Sequence, residues 1–240
     1  MEKIIETLFV NAKSLKHYPL EDMHPVPEMK PFGFFPGGYG MYNESVQIDK
    51  IKYMLLGQDF DTLEHFNKLS NDGENKEVVK TWIYLIGNNT KKGLLQNCDI
   101  NPNECFFTNA IMGLRVSGKN SGASPAWKHP EFIDECKNFF VNNQLSLFKN
   151  LEIIFVMGKE VAHFIANTSS PNEFPQWHTI NRIADLYDEN YFRCIDYNGR
   201  KIKFIFMTHP SLANSNLSKR WGRDGKGYKK EIEYIRKALN

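Results

Sequence analysis

An excess of charge of one sign is missing: 30 Lys+Arg against 28 Asp+Glu leave a formal net charge of +2 over 240 residues. A protein that coats nucleic acid is basic throughout, so that class is excluded and only a local basic patch remains open. Cysteine is scarce and scattered. Cys98, Cys105, Cys136 and Cys194 form no C-x-x-C pair, which removes a zinc ribbon or a typical iron–sulfur site and favours a reduced intracellular chain. No apolar run is long enough to cross a membrane, and the opening MEKIIETLFVNAKSLKHYP lacks both an uninterrupted apolar stretch and a small-residue cleavage site. A soluble cytoplasmic protein with no membrane partner is therefore expected. A Walker-type loop is absent, and Gly37-Gly38-Tyr39-Gly40 precedes the first strand instead of following it, so dinucleotide binding drops out.

What is present suffices for one large domain: the chain is 41% apolar and 13% aromatic, enough for a buried core and against disorder. Ile5, Leu8, Phe9, Ala12 and Leu15 recur at helical spacing and predict an opening helix over residues 2–16. A Pro- and Gly-rich arm follows from Pro19 to Tyr42, reading either as a strap on the core or as the wall of a cleft. Four apolar runs, 51–57, 105–111, 151–157 and 202–208, read as buried strands, with helical patterns at 76–87, 130–148 and 158–167 between them. Strands alternating with helices predict an α/β protein, a three-layer α/β/α domain with a central, mostly parallel four-stranded sheet. Asn198-Gly199 predicts a hairpin that gives the last strand a short antiparallel partner, and residues 228–239 predict a closing helix. A single domain over residues 1–240 is expected, its first 48 residues being the helix and the arm.

In an open parallel sheet, ligands bind beyond the carboxyl ends of the strands. Those ends are polar here. The first run leads into Gly57-Gln58-Asp59-Phe60-Asp61, the second holds Thr108-Asn109 and exits through Gly113-Leu114-Arg115, the third ends in Gly158-Lys159 and the fourth in His209-Pro210-Ser211. Taken singly, such an Asp is often a cap or turn former, such an Asn satisfies loop backbone, and such a His packs in a loop. Three of them on one rim are harder to dismiss. Asp59, Asp61 and His209 are admissible metal ligands, but their spacing matches no familiar motif, so no metal and no organic cofactor are expected.

Gly57-Gln58-Asp59, Asn109 within TNAIMGLR, and His209-Pro210-Ser211 occur in an order and at strand ends that resemble the uracil-DNA glycosylase superfamily. The resemblance covers roughly residues 50–222 and includes the Met157-Gly158-Lys159 turn. It implies a hydrolase that removes uracil or another damaged or deaminated base from DNA in base excision repair, flipping the base out of the stack. Cleavage of an N-glycosidic bond develops positive charge on the sugar and negative charge on the base, so the site needs an anion near one and a donor at the other. By the resemblance, Asp59 is the anion, orienting water or stabilising the cationic sugar, and His209 is the neutral donor to the leaving base. Asn109 reads the pyrimidine edge, with Gly57, Gln58, Phe60, Asp61 and Phe66 completing the base pocket.

Departures from the family pattern fall on specificity. Where the cluster-free branch has Pro-Tyr after G-Q-D, this chain has Phe60-Asp61, and Asp61 lacks the ring that excludes a 5-methyl group. Leu212 stands where a proline is usual; it reads as an apolar wedge into the base stack or as a buried loop residue. The aromatic expected to stack on the base is Phe66, with Phe34, Phe35 and Trp82 as alternatives. The segment KRWGRDGKGYKK, residues 219–230, holds six Lys or Arg against one Asp. Ser211, Leu212, Lys219, Arg220 and Arg223 are therefore the expected DNA contacts, made by a monomer. Rival readings are a binding module without turnover and a hydrolase acting on free nucleosides or nucleotides.

Overall fold

The computed structural model describes residues 2–25, 48–64, 67, 94–119, 122–168, 192–209 and 213–240. The helical pattern at 76–87, Phe66, Phe34, Phe35, Trp82, Ser211, Leu212 and most of the Pro/Gly-rich arm lie outside them.

All four apolar runs form strands of one sheet. β2 (Tyr53–Gly57) lies between β3 (Cys105–Asn109) and β5 (Ile153–Met157), both parallel to it, and β7 (Arg200–Met207) adds in parallel on the far side of β5. Among the described residues the sheet has five strands where four were expected. β6 (Phe192–Tyr197), anticipated only as a short hairpin partner, pairs antiparallel with β7 over its whole length, from Phe192 opposite Ile205 to Tyr197 opposite Arg200. The turn that joins them works because Asn198 and Gly199 both adopt positive φ, 51° and 76°, the twist that two-residue hairpins require.

Near-continuous apolar strands are buried on both faces. Met54, Leu56, Phe106, Ile154, Val156, Phe204 and Phe206 pack in one core cluster with Leu8 and Ala12 of α1 (Glu2–Lys13), Phe132 and Cys136 of α2 (Pro130–Phe139), and Val161 and Phe164 of α3 (Lys159–Thr168). The alternate strand residues Leu55, Phe107, Phe155, Ile205 and Met207 pack in a second cluster with Leu94, Leu95 and Ile100 and with Ile232, Tyr234, Ile235 and Ala238 of α5 (Gly227–Leu239). α2 begins with Pro130 at its first turn, where a missing N–H costs nothing, and runs on through a wider π-helical turn, Phe140–Leu145. α4 (Ala213–Trp221) connects β7 to α5. Among the described residues no helix is long and apolar enough to cross a membrane.

One small element lies outside the four apolar runs. β1 (Met23–His24), at the start of the arm, pairs antiparallel with β4 (Leu114–Arg115), and Val116 N–H donates to Asp22 O at 2.9 Å. On its other side Arg115 forms a parallel bridge with Thr62. The chain leaving β3 is thereby clamped between the arm and the chain leaving β2.

Candidate active site at the strand ends

Gly57 and Asn109 are the last register pair of β2 and β3. A Cβ on Gly57 would collide with Asn109 Oδ1 and come within 3.6 Å of the Met157 methyl, so glycine at this position is what lets the Asn109 amide lie over the strand end. Beyond the pair, the two chains stay joined: Ala110 N–H donates to Gly57 O at 2.8 Å and Ile111 N–H to Gln58 O at 2.9 Å. On the other side of the centre, Met157 and Met207 close the β5–β7 ladder. Gly158 follows with φ +92°, and its missing Cβ would lie 3.6 Å from His209 Cβ.

The Asp59 side chain is nearly closed to solvent and paired. Its Oδ2 accepts from Arg115 Nε at 2.7 Å, and the two side chains are only 6% and 5% exposed. Arg115 also donates from Nη1 to Lys119 O at 2.7 Å and from Nη2 to Gly122 O at 3.1 Å, while its own N–H donates to Asp61 O at 2.8 Å. Gln58 Nε2 reaches the same Gly122 carbonyl at 3.0 Å and Asp59 Oδ2 at 3.5 Å. Arg115 thus fixes the Asp59 carboxylate and, with Gln58, ties the chain at Gly122 above it. In the sequence Arg115 stands only at the exit of the second apolar run. The available signal was a single Arg between Leu114 and Val116, since a cation in an apolar setting needs an anionic partner.

His209 lies within the electrostatic reach of Asp59. Burial pushes its imidazole below the ordinary value of 6.5, and the Asp59 charge opposes that shift. The ring is therefore held neutral near neutral pH, a donor that carries no charge of its own.

Other expected site residues take different places. Phe60 is 3% exposed and belongs to the main core cluster, its N–H donating to Gly113 O at 3.2 Å; its ring lines the core beneath the strand end. Asp61 has φ +72°, and its Oδ1 accepts from Thr62 N–H at 2.7 Å, the local turn-forming use of a short acid that tolerates the left-handed region. Lys219 and Arg223 are exposed. Arg220, expected to contact phosphate, is turned inward. Its side chain is 1% exposed and ion-paired with Glu231, with the guanidinium 4.4 Å from the Trp221 ring centre and 4.2 Å from that of Tyr234. Aromatic faces and a buried carboxylate draw it inward.

The chain matches no known family model and no curated protein.

Proposed function

We propose that this protein is a DNA glycosylase-like hydrolase that removes uracil or another damaged or deaminated base from DNA. The observation that carries the reading is the cluster at one end of the sheet: the Asp59 carboxylate acts on the His209 imidazole, and the Asn109 amide packs against Gly57 at the end of the strand that leads to Asp59. Asn109 and His209 follow strands three positions apart in the sheet, a span of roughly 14 Å that accommodates a base and its sugar. Within this reading the covered sheet is a three-layer α/β/α domain of uracil-DNA glycosylase type. The protein acts as a single-domain monomer in the cytoplasm, with no metal or organic cofactor.

The reaction needs little covalent work from the protein. The bond from C1′ to the base nitrogen breaks with its electron pair on the base, a water oxygen adds to C1′, and a proton from that water ends on the base. Asp59, a fixed anion, stabilises the cationic sugar, and neutral His209 donates to the base oxygen as negative charge grows there. Asn109 donates and accepts on the pyrimidine edge. Lys219 and Arg223 supply phosphate contacts beside the His209 loop.

One observation favours the reading of a binding module without turnover. Arg115, at 2.7 Å, offsets part of the Asp59 charge that would act on the sugar. A panel of oligonucleotides carrying uracil, a thymine mismatch, hypoxanthine or xanthine, run beside free deoxyuridine, separates the readings. Abasic product from one of the oligonucleotides supports the glycosylase; tight binding with no product supports the module; cleavage of deoxyuridine alone supports a nucleoside hydrolase.

A further inference from the structure

The β7 ladder ends at Met207, whose carbonyl accepts from Gly158 N–H at 2.8 Å. The next amide, that of Thr208, has left the sheet, and a buried carboxylate takes it over. Glu231 of α5, 4% exposed, accepts the Thr208 N–H on Oε1 at 2.8 Å. Its Oε2 accepts the Trp221 indole N–H at 2.6 Å and a guanidinium N–H of Arg220. One side chain therefore joins the end of α4, the first turns of α5 and the backbone immediately before His209.

Such a group is a poor source of net stability, because the cost of desolvating two charges offsets most of their attraction. What it does supply is geometry. Three N–H donors meet on two oxygens, an arrangement only an acceptor-only anion satisfies; an amide at this position would turn an N–H toward one of the donors. With the Thr208 amide fixed, the single step to His209 sets where its imidazole enters the strand-end cluster.

We infer that Glu231 is a positioning residue for His209, acting through the Thr208 amide. The inference rests on the glycosylase reading for what His209 does, though not for where His209 points, and its test keeps the two apart. The test uses the full-length Glu231→Gln variant. It reads the His209 ring resonances by NMR at fixed pH, with the other histidines as internal references, and single-turnover base release at saturating uracil-containing oligonucleotide beside the dissociation constant. The His209 resonances move while those of His17 and His163 stay in place. Release falls by about 10-fold to 100-fold, the order expected of a group displaced by about 1 Å, and the dissociation constant stays at its wild-type value. Unmoved His209 resonances, or unchanged release, overturn the inference. If the wild type releases no base, the glycosylase reading fails and the resonances alone decide this one.

Glu231→Asp, which keeps the charge but is one methylene too short to hold Thr208 and Arg220 together, gives the same displacement with a smaller disturbance of the core. Should neither variant fold, amide exchange in the wild type decides. A Thr208 amide as slow as those of β7 supports the hold, and one as fast as the exposed turn around Arg223 and Asp224 overturns it.

Discussion

Arg115 Nε lies 2.7 Å from Asp59 Oδ2, and both side chains are nearly closed to solvent. The pair joins the loops that leave two adjacent parallel strands, so the carboxylate at the centre of the candidate site is also a structural group. Breaking a buried pair from one side leaves an uncompensated charge, at a cost of about 3 to 5 kcal/mol. Arg115→Met is expected to lose stability on that order in urea unfolding. The double variant Asp59→Asn/Arg115→Met is expected to lose less than the sum of its single changes, since it leaves no buried charge behind. Strict additivity would mean that the two residues do not act as a pair.

His209→Ala tests the chemistry with the least structural disturbance. A donor aimed at charge that exists only in the transition state is worth about 2.7 to 4 kcal/mol. Single-turnover release should fall by about 100-fold or more while oligonucleotide affinity holds. A wild-type rate would remove His209 from the mechanism.

The pH dependence follows from the lowered His209 pKa, whose main cause is burial. The unfolded chain takes up a proton at residue 209 near the ordinary 6.5 and the folded chain does so only at lower pH, so below 6.5 the unfolded state binds more protons. Stability therefore falls as pH drops from there and levels off once the folded-state pKa is passed. On the proposed function, the His209 contribution to base release is likewise expected to persist at pH 6.5, its loss lying on the acid side. Titrating the imidazole by NMR checks both; a midpoint above 6.5 refutes the assignment of a neutral donor.

Gly57→Ala should act on recognition. The added methyl group meets Asn109 Oδ1, so the amide must leave the strand end. A paired side chain–base contact is worth about 1 to 3 kcal/mol of discrimination. The variant should lose base selectivity of that size, measured as the ratio of release rates across the oligonucleotide panel. An unchanged ratio would show that Asn109 does not read the base.

The basic segment divides in two. Lys219 and Arg223 are exposed, and neutralising either should lower the slope of log affinity against log salt by roughly 0.9 if it contacts a phosphate of duplex DNA. Arg220→Gln should leave that slope alone and lower stability instead, since its guanidinium serves Glu231 and two aromatic rings. A slope change from Arg220→Gln would mean that the inward packing opens on DNA.

Much of this architecture is local and was legible in the chain itself. The four apolar runs, the helices at α1, α2, α3 and α5, and the Asn198-Gly199 turn follow from periodicity and turn chemistry, which need only neighbouring residues. The location of Asp59, Asn109 and His209 at strand ends follows in the same way. The partners of those residues do not. Arg115 lies 56 positions from Asp59 and Glu231 23 from Thr208, distances over which only the path of the chain decides who meets whom. Composition could not tell that Arg220, one of six cations in a single run, turns inward while Lys219 and Arg223 face water. Helical phase separates Lys219 from Arg220 on α4, Arg223 lies beyond the end of that helix, and the rings of Trp221 and Tyr234 receive the Arg220 guanidinium. The full-length pairing of β6 and the short ribbon of β1 with β4 depend likewise on edges that exist only once the sheet has formed. The sequence determined which groups stand at the rim, and the tertiary structure decided which of them are held, by what, and in which direction, because burial and ion pairing are properties of the assembled neighbourhood.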